Sequence, residues 1–234
     1  MESIKNYIES NRERFLEELF GLIRIPSVSA NEANKADMVR AAEYIRDLMK
    51  GNGADRAEVY ATPGNPIVYG EKIINPSLPT ILVYGHYDVM PAEPLEKWTS
   101  PAFEPEIRDG KIWARGADDD KGQLFMHLKA FEMMIATGTL PCNVKFMIEG
   151  EEEAGSASIA GFCSEYREML RSDVILVSDT TMISSEIPSV TSGLRGLSYI
   201  QIEVSGPDRD LHSGIYGGAV VNPCNAICEI ISRL

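Results

Sequence analysis

Three short, largely apolar runs dominate the pattern of this chain: TILVYG (80–85), NVKFMIE (143–149) and DVILVS (173–178). Each gives way within a few residues to side chains that can bind a proton or a cation. His86-Tyr87-Asp88 follows the first, Glu151-Glu152-Glu153 the second, and Asp179 the third. Runs without polar alternation are those of strands covered on both faces, as in parallel sheets flanked by helices. Helical spacing of apolar residues appears between them, in 35–50 (Met38, Val39, Ala42, Ile45, Leu48), 120–136 (Leu124, Phe125, Leu128, Phe131, Ile135) and 157–170. Alternating strands and helices predict an α/β domain, a mainly parallel sheet with helices on both faces. Parallel strands bring their C-terminal ends to one edge, where open α/β sheets place their sites. One histidine and several carboxylates are therefore expected in a single crevice.

The chain opens with a further helix pattern (Ile4, Tyr7, Ile8, Phe15, Leu16, Leu19, Phe20, Ile23) that Pro26 stops, and Gly51 is the expected terminator of the 35–50 helix. KIWA (111–114) reads as another strand, leading into Arg115-Gly116-Ala117-Asp118-Asp119-Asp120-Lys121-Gly122. Beyond residue 187 the character changes. RGLSYIQIEV (195–204) alternates as a one-sided antiparallel strand does, a glycine-rich loop follows, and Asn222 with Pro223 signals a helix start. The expected division is a catalytic, metal-binding domain over 1–187 and the beginning of an α+β lid or dimerisation domain over 188–234. One strand and one helix cannot close a core of their own, so the second domain is expected to be incomplete and the chain an N-terminal portion.

Composition narrows the function. A formal charge of −13 leaves no basic stripe to neutralise phosphates, which argues against a nucleic-acid partner. No run approaches the ~18 apolar residues of a membrane span, and the charged start MESIKNYIESNRERF lacks the apolar centre of a signal peptide. Four scattered cysteines are no disulfide framework, and Cys224 and Cys228, four apart, read as helix packing before a metal pair. A cytoplasmic protein without a membrane partner is the expectation. Carboxylates from four loops would repel one another and resist desolvation, and one or two divalent cations would remove that conflict. Mixed nitrogen and carboxylate ligation suits zinc, and also manganese or cobalt. The sequence contains no G-x-S-x-G elbow, no phosphate loop and no H-E-x-x-H helix. The residues alone leave two readings open: a metal-assisted hydrolase, or the acidic loops of a non-catalytic α/β protein.

The segments GHYDVMP (85–91), WTSPAFEP (98–105), ARGADDDKG (114–122), EGEEEAGS (149–156), VSD (177–179) and DLHSGIYGG (210–218) resemble the dinuclear zinc metallopeptidases. That family includes carnosinase, cytosolic nonspecific dipeptidase, carboxypeptidase G and aminoacylase, and the dipeptidase branch is the most similar. The resemblance implies hydrolysis of dipeptides or short peptides by a water bridging two zinc ions. It assigns His86, Asp119 and Asp179 to one metal, with Asp119 bridging to a second metal that Glu153 also binds. Glu152 becomes the general base, and Asp88 the carboxylate that orients the His86 imidazole. His212, in D-L-H-S-G, would reach a neighbouring subunit's site and stabilise the oxyanion, which implies a homodimer of the full-length protein. A cis peptide between Asp119 and Asp120 is also implied.

The resemblance has a gap. The family's last ligand is a downstream histidine, and the only histidines here are His86, His127 and His212. The first metal set is complete and the second is not, so the chain alone is expected to be weakly active. His127 lies at helical spacing from Leu124 and Phe131 and reads as a partly buried helix residue, not a ligand. Asp118 and Glu151 are expected to add negative potential without coordinating. Two alternatives remain: an N-acyl amino acid amidohydrolase of the same chemistry, or a non-catalytic dimerisation module.

Overall fold

The computed structural model describes residues 2–184 and 186–234. In chain order its main elements are α1 (Glu2–Ile23), α2 (Lys35–Gly51), β1 (Arg56–Tyr60), β2 (Ile67–Lys72), β3 (Thr80–His86), β4 (Glu106–Arg108), β5 (Lys111–Trp113) and α3 (Lys121–Ala136). There follow β6 (Asn143–Glu149), α4 (Ile159–Glu165), α5 (Arg167–Leu170), β7 (Val174–Val177), α6 (Ser213–Tyr216) and α7 (Pro223–Ile231). Two compact units result, residues 1–181 and 182–234.

In the first unit a five-stranded sheet runs in the order β1-β2-β6-β3-β7. The site-bearing strands β6, β3 and β7 are mutually parallel, while β1 and β2 extend the sheet antiparallel at the far side. Side chains alternate between the two faces along each strand. On one face Val68, Val83, Val144, Phe146 and Ile148 pack against Ala41, Ile45 and Met49 of α2 and Leu124, Leu128 and Phe131 of α3. On the other, Ile67, Tyr69, Leu82 and Met147 meet Phe162 of α4 and Leu170 of α5. Helices thus cover both faces, and every residue of β6 is buried.

Several sequence expectations need correction. KIWA does form β5, but β5 pairs only with β4 in a separate two-stranded ribbon, so its loop is not delivered by the sheet. Strand β7 is in place yet exposed along its length, because it is an edge strand with β3 as its one neighbour in the sheet. The helical pattern at 157–170 is broken into α4 and α5. Gly51 is the last residue of α2 and does not terminate it; Gly53, at φ +99°, takes the left-handed conformation two residues on. Strands β1 and β2 were not anticipated, since neither has a long apolar run.

The second unit contains α6 and α7, with Asn222 capping α7 through the backbone N–H of Cys224 and Pro223 at its first position. Residues 195–204 form no strand among the described residues, because alternation makes a strand only where another strand supplies the hydrogen bonds, and none pairs with them. Cys224 and Cys228 are exposed free thiols, not packing residues. No helix among the described residues is long and apolar enough to cross a membrane.

Candidate metal centre

Register aligns the strand ends. His86 on β3 stands opposite Glu149 on β6, and Tyr84 opposite Val177 on β7. The segments that follow, 87–88, 150–153 and 178–179, therefore leave the sheet at one edge. Asp119 arrives by a different route, on the residues just before α3. Lys121, the first residue of that helix, is fully buried, and its Nζ donates to the carbonyls of Leu22 (3.1 Å) and Ile25 (2.7 Å) at the end of α1. Burial lowers the Lys121 pKa to about 7. The helix start is thus pinned beside the sheet edge. The Asp119–Asp120 peptide is cis, as the resemblance implies.

His86 is completely buried. Its Nδ1 faces the Asp88 carboxylate at 3.3 Å and the Asp88 carbonyl at 3.1 Å, which leaves Nε2 directed outward. There Asp119 Oδ1 lies at 3.1 Å and Asp179 Oδ2 at 3.7 Å. One ligand atom from each of these three residues falls within 4.8 Å of the others. Asp88 does more than orient the ring. Its buried carboxylate accepts the backbone N–H groups of Glu152 (3.2 Å) and Glu153 (3.0 Å), the start of a 3-10 turn over Glu152–Ala154. One carboxylate therefore ties the histidine after β3 to the glutamates after β6.

The electrostatics are those of an acidic site. Burial opposes charging of His86, but the bond to Asp88 and the charges of Asp88, Asp120 and Glu152 outweigh it and push the imidazole pKa up to about 10. Burial and the neighbouring carboxylates Asp179 and Asp119 raise Asp120 to about 7, although it accepts the His86 N–H. Glu152 and Glu153 are raised by burial first, and then by Asp179, Asp88 and Asp119 around the one and Asp119 beside the other. The raised imidazole pKa marks an excess of negative charge around Nε2, which a divalent cation bound by Nε2 and the two carboxylates would offset. The donor set, one imidazole nitrogen with two carboxylates, fits a borderline metal such as zinc.

Four features were not anticipated. Asp120 is buried, accepts from the His86 backbone at 3.0 Å with Oδ2, and leaves Oδ1 without a hydrogen-bond partner among the described residues. Gly85 makes room for it, since a Cβ there would lie 2.7 Å from Asp120 Oδ2. Glu149 bonds Tyr84 (2.6 Å) and Ser156 (3.0 Å) behind the glutamate turn. Glu151 is structural: its carboxylate accepts the N–H groups of Asn65 (3.0 Å) and Ser158 (2.9 Å). None of these had a sequence signal beyond adjacency to the motifs. His212 belongs to the second unit, where its Nδ1 accepts the Gly214 N–H at 3.0 Å at the start of α6.

Comparison with known proteins accords with this geometry. The chain is 32% identical to the Cys-Gly metallodipeptidase of Schizosaccharomyces pombe, over 100% of its own length and 52% of that protein's. To the human Beta-Ala-His dipeptidase it is 32% identical, over 100% of the chain and 49% of that protein. The crystal structure of human carnosine dipeptidase 1 superposes with a TM-score of 0.81 at 30% identity, covering 100% of this chain and 52% of that one. The chain thus spans about half the length of the curated relatives it matches. Residues 82–213, which carry His86, Asp88, Asp119, Glu152, Glu153, Asp179 and His212, match the family model described as Peptidase family M20/M25/M40, and the chain belongs to that family.

Proposed function

We propose that the protein is a metal-dependent hydrolase that cleaves the peptide bond of dipeptides or short peptides. The observation that carries this reading is the convergence of His86 Nε2, Asp119 Oδ1 and Asp179 Oδ2 at the sheet edge, their ligand atoms within 4.8 Å of one another. The named relatives, dipeptidases acting on Cys-Gly and on Beta-Ala-His, support a dipeptide as substrate.

His86, Asp119 and Asp179 would hold one divalent ion, zinc in preference to manganese or cobalt, and Asp119 with Glu153 would offer ligands to a second whose set needs a further donor. Bound there, the metal supplies Lewis acidity towards the scissile carbonyl and lowers the pKa of the attacking water. The protein's own residues do the rest. Glu152 takes the proton from that water and delivers it to the leaving amine, a task suited to a carboxylate whose pKa its surroundings raise. Asp88 keeps His86 Nε2 pointed at the ligands and holds the backbone of Glu152 and Glu153. His212 stabilises the developing oxyanion from a neighbouring subunit, which makes the functional form a homodimer. The 1–187 segment is then the catalytic, metal-binding part and 188–234 the start of the lid or dimerisation part of a cytoplasmic enzyme.

The variant Glu152→Gln tests the assignment. Turnover should fall at least about 100-fold while bound metal stays at the wild-type stoichiometry. Retained turnover, or loss of the metal with the activity, would remove Glu152 from the general-base role. A substrate panel is the second arm: preference for N-acyl amino acids over dipeptides would make the protein a deacylase, and a function that Glu152→Gln leaves intact would make it a non-catalytic module.

A further inference from the structure

His127 has no part in the chemistry above, yet it is placed against it. It sits two turns into α3, half-buried, with Nε2 2.6 Å from the hydroxyl of Ser178. Ser178 follows the last residue of β7 and immediately precedes Asp179. Burial lowers the His127 pKa, which favours the neutral imidazole, whose ring nitrogen can pair with the serine hydroxyl.

This contact matters because, among the described residues, the ladder that leads to Asp179 ends short of it. Strand β7 is four residues long, lies at the sheet edge and pairs only with β3, with all four side chains exposed. Its last registered pair is Val177 with Tyr84, so the ladder ends before Ser178. Helix α3, by contrast, is anchored: its buried face packs on the sheet, and Lys121 ties its start to α1. The same helix carries Asp119 just ahead of its first turn. We infer that His127 is a positioning residue that clamps Ser178 to α3, so that the Asp179 carboxylate and Asp119, both referenced to one rigid helix, meet at His86 Nε2. The inference rests on the metal-centre reading and deepens it, since it names what aligns the third ligand.

The test uses the full chain with Co²⁺ as probe, whose visible absorption reports ligand geometry as well as occupancy. Ser178→Ala removes one hydroxyl with minimal risk to folding, and His127→Leu removes the imidazole from the other end. Each should weaken Co²⁺ binding about tenfold, the effect typical of an outer-shell partner, and alter the absorption band. Amide hydrogen exchange across 174–180 should quicken in both variants without metal. His127→Gln, whose amide can reach the same hydroxyl, should restore most of the affinity. Wild-type Co²⁺ affinity and spectrum in both Ser178→Ala and His127→Leu overturns the inference while leaving the metal centre intact. A wild-type chain that binds no Co²⁺ overturns the metal-centre reading, and this inference with it.

Discussion

Asp88 joins two halves of the site, so removing its carboxylate should separate stability from chemistry in a measurable way. In the fold the side chain is fully buried and accepts two backbone N–H groups, from Glu152 at 3.2 Å and Glu153 at 3.0 Å, beside its contact with His86 Nδ1 at 3.3 Å. A hydrogen bond to a charged acceptor contributes about 1.5–3 kcal/mol, so losing both sets an upper bound of roughly 6 kcal/mol. Two effects reduce it. The His86 ring keeps the Asp88 backbone carbonyl at 3.1 Å whatever the side chain, and removing one carboxylate relieves the repulsion it exerts on Glu149, Glu152 and Glu153. Asp88→Ala is therefore expected to destabilise the chain by about 2–4 kcal/mol, and Asp88→Asn, which keeps one acceptor oxygen, by about 1–2 kcal/mol. Urea unfolding of the metal-free protein reads both values. Activity should fall further than stability, by about 100-fold in kcat for Asp88→Asn, because the group that carries the proton is no longer held in place. An Asp88→Ala chain as stable as wild type, or an Asp88→Asn enzyme with unchanged kcat, would refute the role of Asp88 as the joint between β3 and the glutamate turn.

Between about pH 4 and 7 the metal-free chain should lose stability as pH rises; above 7 the buried Lys121, lowered to about 7, contributes with the opposite sign. Asp120, raised to about 7, keeps a proton in the fold that the unfolded chain releases near 4, and His86, raised to about 10, does the same above about 6.5. Both slopes are negative, over about pH 4–7 and 6.5–10 respectively, so zinc should raise the melting temperature more at pH 8 than at pH 5; an equal or smaller gain at pH 8 would contradict the assignment. Gly122→Ala should disturb the site through the backbone, since the added Cβ would lie 2.1 Å from the Ala117 carbonyl and force the 117–120 segment that carries Asp119 to move. We expect a loss of about 1–3 kcal/mol and weaker Co²⁺ binding; a variant with wild-type stability and affinity would show that the segment has slack.

What the sequence made legible followed from burial and adjacency. Strands β3, β6 and β7 announced themselves because a parallel sheet leaves no polar alternation, and the residues just past them could be read as candidate site residues because such a sheet brings its strand ends to one edge. Asp119 was found by motif alone: the sheet argument failed for it, since β5 lies outside the main sheet and the residue is delivered by the start of α3. Strands β1 and β2 escaped because RAEVY and IVYGEK mix charge and glycine with apolar residues, the mark of strands near an edge. The partnerships within the site were not legible, because hydrogen bonds such as Asp88 to Glu153, Lys121 to Ile25 and His127 to Ser178 span 65, 96 and 51 residues and depend on which helix end meets which strand end. His127 illustrates the limit: helical spacing correctly made it a half-buried residue of α3, and only the fold shows that its imidazole reaches the serine beside Asp179. Periodicity reports which face of an element is covered, whereas a site is assembled from element ends, where periodicity stops.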